Sequence, residues 1–473
     1  MKKLLFILLC IPNLFFAQSS LRLPDILSDH MLLQQDSEVK FWGWANPRTK
    51  IDIVTDWNND TIRTTASNKA KWETLLKTPK AGGPYGIQVL TEEEAITIED
   101  VLIGELWICS GQSNMEYSVN NGVIDAEAAM LDSKNDQIRF FFVEKATADY
   151  PQDELTGHWE VCSPESMRKF SSVGYFFGRK LNEELAIPIG LINSNWGGTP
   201  AETWIPKDEI EDLEKVQAEA KNLNNSEGWP RDIATTYNAM IHPITKMRIA
   251  GTIWYQGESN TPNANSYSAL FTTMIQGWRT KFQNDFPFYY VQIAPFEGYD
   301  VPFSAAIVRE QQQKAQSLEK TGVVVISDLV DNPDDIHPRY KKEVGNRLAN
   351  WALAETYAKA TPKYRFATYT EQKIEGRNIR VSFDHVGEGL VIKGKGIEGL
   401  KMAGKDEEFY PASGKIDKKT NTLIVKSKEV KNPLYVRYAF GNGTIGNLFD
   451  ESGLPVAPFR TDNIVYELSQ NNQ

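Results

Sequence analysis

The chain has 473 residues, 41% of them hydrophobic and 24% charged, with a formal charge of −11. That length exceeds one compact core and predicts two or three domains of ordinary globular composition. An acidic surface without a basic block repels phosphate backbones and excludes nucleic acid as a partner class, and no later run reaches the roughly 18 apolar positions of a membrane span.

Residues 1–18 carry an export signal: Lys2 and Lys3, the apolar run Leu4 to Phe16, and the small Ala17 near the cleavage point. This predicts a secreted or periplasmic protein. A membrane anchor is the competing reading, but Pro12 and Asn13 interrupt the run it would need. Cys109 and Cys162 then remain, either bridged or as two buried thiols.

From residue 19 to 100 the pattern alternates with period two, in Val39–Trp44, Lys50–Val54, Thr61–Thr64 and Tyr85–Val89. Such spacing predicts an antiparallel β-sandwich. From residue 101 to 363, strand-like runs at Leu102–Ile108, Ile187–Ile192, Ile249–Trp254, Phe288–Ile293 and Gly322–Ser327 alternate with helical ones. Tyr267, Leu270, Phe271, Met274, Trp278 and Phe282 recur at helical spacing, as do Val344, Leu348, Trp351 and Ala352. This predicts an α/β domain with a parallel sheet between two helical layers, its ligands bound at the carboxyl ends of the strands. From residue 364 to 473 the β-pattern returns, in Ile379–Phe383, Leu390–Lys393, Leu423–Lys426, Leu434–Tyr438 and near Ile464–Leu468. A second β-module follows from it.

The chemistry-bearing segments all fall after predicted strands of the middle region. Ser113 follows Leu102–Ile108 in Gly111-Gln-Ser-Asn-Met115, a partial nucleophile elbow with Met where Gly would stand. A serine needs a histidine base oriented by a carboxylate. Of five histidines, His30, His158, His242 and His385 read as surface or hydrogen-bonded core residues. His337 instead follows the buried run Gly322–Ser327, within Asp331-Asn-Pro-Asp-Asp-Ile-His-Pro338, with Pro338 placed to open a helix. Two readings stand for that loop: Asp334, three residues back, orients the imidazole, or Asp334 or Asp335 caps the helix.

Oxyanion donors have two sources, the adjacent glycines of Asn195-Trp-Gly-Gly-Thr-Pro200 and the Gln256 amide of Trp254-Tyr-Gln-Gly-Glu258. Each reads singly as a turn, and their convergence on one sheet edge makes the joint case. The Pro206-to-Arg231 insertion either borders the cleft or is a solvated face. Neither a calcium loop nor a zinc pattern is present, since Ile336 and Lys342 stand where a calcium loop needs Gly and Glu. The expectation is catalysis without metal or cofactor.

Gly111-Gln-Ser-Asn-Met-Glu116, Gly197-Gly-Thr-Pro-Ala-Glu202, Trp254–Glu258 and Asp334-Asp-Ile-His-Pro338 together resemble the sialate O-acetylesterase-like branch of the SGNH hydrolases. Leu23–Gln34, Trp42–Ala45, Asn447–Pro455 and Pro458–Asp462 extend the likeness to both flanking modules. The resemblance implies a three-layer, flavodoxin-like hydrolase domain that removes acetyl groups from sugars or glycans. It implies Ser113 as nucleophile, His337 as base and Asp334 as its orienting carboxylate. For the oxyanion hole it implies the Ser113 and Gly198 amides and the Gln256 side chain. The adjacent Asp335 leaves two registers for the carboxylate. Competing readings are an esterase of acetylated plant polysaccharide such as acetylxylan, and a non-catalytic carbohydrate-binding module.

Overall fold

The computed structural model describes residues 20–58, 60–210, 213–221, 223 and 228–468; the expected export signal lies outside them. The organising element is the strand Ala95–Gly111, 17 residues long. Its first part pairs antiparallel with Gly82–Leu90, and Leu32–Gln34 lies parallel to Leu102–Gly104. From Glu105 onward it pairs with Ile189–Asn195 on one side, and from Trp107 with Gly251–Tyr255 on the other. The strand therefore runs through the expected boundary at residue 100, with a bulge there that places Asp100 at φ +56°.

The central sheet runs Thr321–Val324, Phe288–Val291, Gly251–Tyr255, Ala95–Gly111, Ile189–Asn195, Asn135–Val143, Gly157–Cys162. Every neighbouring pair is parallel except the last. Period two along Ala95–Gly111 sends successive side chains to opposite layers. Leu106 and Ile108 join Phe271, Met274 and Trp278 of helix Tyr267–Phe282 and Ile307 of helix Ser304–Lys314. Trp107 and Cys109 join Phe177 of helix Ser172–Leu185 and Leu348 and Trp351 of helix Lys341–Trp351. Covered on both faces, the strand is apolar without interruption at Leu106–Cys109, as a parallel sheet requires. This is the three-layer α/β arrangement with a parallel core.

The strands Asn135–Val143 and Gly157–Cys162 extend the sheet beyond the five read from the sequence. Cys109 and Cys162 are both free and buried, which decides between the two readings of the pair.

The amino-terminal β-module packs Leu33, Phe41, Ile53, Ile87 and Val89 into the same core as Leu106 and Ile108. The carboxyl-terminal module is a sandwich of two four-stranded antiparallel sheets around its own core, including Val381, Met402, Leu423 and Val436. The expected strand near Ile464–Leu468 does not form. That stretch is held from the side instead: Arg460 donates to the Ile464 carbonyl at 2.6 Å, and Asn265 to the Tyr466 carbonyl at 3.0 Å.

Candidate active site

At the carboxyl edge of the sheet Gly111 has φ +135°, and a Cβ there would lie 2.2 Å from the Tyr255 carbonyl oxygen. Only glycine fits that approach. The chain then turns at Gln112 into the short helix Ser113–Glu116, with Ser113 as its first residue. A first-turn N–H has no partner within its own helix, and among the described residues the Ser113 amide is an uncommitted donor beside its own hydroxyl.

His337 Nε2 lies 2.8 Å from Ser113 Oγ, joining residues 224 positions apart. The Tyr117 ring stacks on the imidazole at 4.3 Å and 18°, which fixes its plane. At the other end of the ring, Asp335 Oδ1 lies 3.5 Å from Nδ1 and accepts the His337 backbone N–H at 2.9 Å. Asp334, which the resemblance implies as the orienting carboxylate, is not the one at Nδ1. Its backbone N–H donates to Asn332 Oδ1, and a tight turn from Asp335 back to the His337 amide brings the nearer aspartate against the ring. Pro338 does not open a helix either. Asp331 accepts both the Arg339 backbone N–H and its Nε, and the helix begins at Lys341.

Burial lowers the His337 pKa below the ordinary imidazole value, and the Lys341 charge lowers it further, against an opposing effect of Asp335. A neutral imidazole facing a serine hydroxyl can take its proton.

The Gly197–Gly198 turn lies against Ser113: a Cβ on Gly197 would be 3.3 Å from the Ser113 Cβ. The Gly197 N–H donates to Glu116 Oε2 at 2.7 Å. Gly198, at φ +75°, lines the cavity. Gln256 does not line it. Its Nε2 donates to Asn260 Oδ1 at 2.7 Å and to the Thr199 carbonyl at 3.3 Å, while its Oε1 accepts from Tyr267 at 2.9 Å. With its donors spent and no exposed surface, the Gln256 side chain braces the Thr199 turn rather than facing the site. Asn260 extends that network to the buried Glu202, whose carboxyl is raised by burial. Gln112 does line the cavity; its Oε1 accepts from the Gly257 and Ser259 amides, both at 3.3 Å, and its Nε2 has no partner among the described residues.

The cavity in front of Ser113 measures about 480 Å³. Its outer wall is solvated: Lys145 Nζ donates to Glu116 Oε1 at 2.6 Å and lies 5.8 Å above the Trp196 ring. Trp229, from the end of the Pro206-to-Arg231 insertion, closes the opposite rim over Gly198, so the insertion does border the cleft. The inner wall, behind Ser113, is shielded from solvent. Asn114, Glu258 and Lys341 are buried there, and the amide of Asn114 bonds to both other side chains. Burial raises the Glu258 carboxyl and lowers the Lys341 amine to about 7.

The other four histidines lie elsewhere. His30 contacts Asp100, His158 contacts Glu160, His242 contacts Tyr237, and His385 borders a separate cavity. Tyr117, Asn114 and Lys341 escaped the sequence reading. Tyr117 lies four positions beyond Ser113, a spacing that could have flagged it, whereas Lys341 shares no helical turn with His337 and carried no such signal.

A family model described as carbohydrate esterase, sialic acid-specific acetylesterase, matches residues 103–354. Sialate O-acetylesterase of Homo sapiens is 29% identical, over 74% of this chain and 74% of its own. That of Rattus norvegicus is 28% identical, over 71% of this chain and 73% of its own. The crystal structure of a carbohydrate acetylesterase from Xanthomonas citri is similar with a TM-score of 0.86 at 34% identity, covering 94% of this chain and 100% of that one.

Proposed function

The chain belongs to the carbohydrate esterase family of sialic acid-specific acetylesterases, and from that premise we propose that it is an exported serine O-acetylesterase of sugars, acetylated sialic acid first among them. The observation that carries the serine mechanism is the 2.8 Å contact of His337 Nε2 with Ser113 Oγ at the carboxyl edge of the sheet. In this reading His337 takes the Ser113 proton as Oγ attacks the acetyl carbonyl. The Ser113 and Gly198 amides hold the oxyanion, with the Gln112 amide as third donor in place of Gln256. The tetrahedral intermediate collapses, and the sugar oxygen leaves with the proton from His337. Water, deprotonated by the same imidazole, then attacks the acetyl-serine. Acetate departs and Ser113 recovers its proton. Asp335 stabilises the imidazolium formed in each half-reaction.

Ser113→Ala should lower p-nitrophenyl acetate hydrolysis by about 10³-fold or more with the circular dichroism spectrum unchanged. Full activity in that variant would end the reading. Fluorophosphonate labelling of Ser113 separates the enzyme from a non-catalytic sugar-binding module, which would not react.

One observation favours acetylated plant polysaccharide such as acetylxylan as a second substrate reading. Among the described residues lining the cavity, the one Lys or Arg is Lys145, and Glu116 already neutralises it, so a sialate carboxylate would compete with Glu116 for it. Acetate release from O-acetylated sialic acids and from acetylated xylo-oligosaccharides decides between the two. We also propose the division into an export signal (1–18), a β-module (19–100), the hydrolase unit (101–363) and a second β-module (364–473), the second and third sharing the strand Ala95–Gly111 across their boundary.

A further inference from the structure

Lys341 occupies a position that physical chemistry disfavours twice. It is fully buried, and it is the first residue of the helix Lys341–Trp351, where the helix dipole repels a cation. Facing it are Glu258 from the loop after Gly251–Tyr255, Asp331 and Asp335 from its own approach loop, and the rings of Tyr117 and Tyr255 at 5.5 and 5.0 Å. None of these carboxylates is within ion-pair distance. Among the described residues, its Nζ has one hydrogen-bond acceptor, Asn114 Oδ1.

Asn114 follows the nucleophile directly. Its Nδ2 donates to Glu258 Oε1 at 2.5 Å and to the Ile336 carbonyl at 3.1 Å. That carbonyl belongs to the peptide that carries the His337 N–H, and the N–H is held by Asp335 at 2.9 Å. One peptide plane is thus gripped at its oxygen from the Ser113 helix and at its nitrogen from the histidine loop. The grip depends on which way the carboxamide points. Nζ supplies N–H donors, so the amide oxygen must face it, leaving both N–H groups for Ile336 and Glu258. The flipped amide would set donor against donor and oxygen against oxygen at all three contacts.

We propose that Lys341 is a positioning residue for the Ser113–His337 pair, fixing the Asn114 carboxamide in the one orientation that ties the nucleophile helix to the peptide preceding the imidazole. This rests on the reading of Ser113 and His337 as catalytic. Lys341 touches neither substrate nor reacting atoms. It acts through Asn114, and separately through its charge, which depresses the proton affinity of His337.

The test uses the full chain with p-nitrophenyl acetate, kcat and KM being measured across pH for Lys341→Met, Asn114→Ala and the double variant. Misplacing a reacting group by a fraction of an ångström to an ångström costs up to about 10²-fold. Each single variant should therefore lose roughly 10- to 100-fold in kcat with KM within about threefold, and the double variant should be no worse than either single one. Lys341→Met should also move the acid limb of kcat/KM to higher pH, because the cation that depresses the imidazole is gone. Asn114→Ala keeps that cation and should leave the limb in place. Additive losses, a kcat within threefold of wild type, or an unmoved limb in Lys341→Met would overturn the proposal. If Lys341→Met does not fold, Asn114→Ala decides: unchanged kcat overturns the proposal, and a kcat-only loss supports it. Failure of the underlying reading has a different signature, full activity in Ser113→Ala.

Discussion

The two walls of the cavity hold charged side chains under opposite conditions. In front of Ser113, Glu116 and Lys145 meet with side chains 36% and 42% exposed. Behind it, Glu258 and Lys341 are 5% and 0% exposed and communicate through one carboxamide. Water screens the first pair, so it adds little energy and can yield to a ligand. The second pair sits where each unsatisfied polar atom is costly, so its geometry is rigid. Changes to the inner wall should therefore register in kcat, and changes to the outer wall in KM.

Predictions that test this contrast fall in descending order. His337→Gln should cost about as much as Ser113→Ala, roughly 10³-fold or more, and combining the two should cost no more than either alone, because nucleophile and base act as a unit. Asp335→Asn should lower kcat by about 10- to 100-fold, less than the ~10⁴ typical of a buried, tightly bonded carboxylate, since Asp335 is half-exposed and 3.5 Å from Nδ1. Asp334→Asn should stay within threefold. Equal losses in the two would break the assignment of Asp335. Gln256→Leu should destabilise the fold by about 1–3 kcal/mol in denaturant titrations, the cost of stranding its buried partners. Its loss of turnover should fall below the roughly 10²–10³ of a removed oxyanion donor, whereas Gln112→Ala should approach that range. Lys145→Met should be mildest, at about 1 kcal/mol or less, confined to KM and fading in high salt. The acid limb of kcat/KM in the unaltered enzyme should lie at lower pH than an ordinary imidazole gives, because burial and the Lys341 charge lower the His337 pKa.

Much of this was legible from the sequence. The alternating run Val39–Trp44 becomes a part-exposed strand, while Leu102–Ile108, apolar but for Gly104 and Glu105, and the continuous run Gly322–Ser327 supply buried ones. The strand at Asn135–Val143 was missed because the charged Arg139 breaks its apolar run, and only the fold shows that Arg139 is buried against Asp100. Ser113 and His337 could be read from their places after strands. The choice between Asp334 and Asp335 could not, because it depends on a backbone turn that one residue's shift reverses. Gln256 was misplaced for a different reason: the acceptors that consume its N–H groups, at Thr199 and Asn260, come from chain segments that only the fold brings together. Lys341 reads as an ordinary helix-surface cation beside Lys342 until tertiary packing covers it.

The strand Ala95–Gly111 has a consequence for how the molecule comes apart. It leaves its amino-terminal partners and joins the central sheet at Gly104–Glu105, with no irregular segment between. Its apolar side chains are shared by both regions in one core, while the carboxyl-terminal sandwich has a core of its own and lends Phe440, Leu454, Ala457 and Leu468 to the others. Heat or denaturant should accordingly melt the first two regions in a single transition, and the sandwich can open as a separate unit. A truncation at residue 100 would cut inside a ladder that still binds Val101 to Tyr85 and Leu102 to Leu32, leaving raw edges beside the strand that presents Ser113.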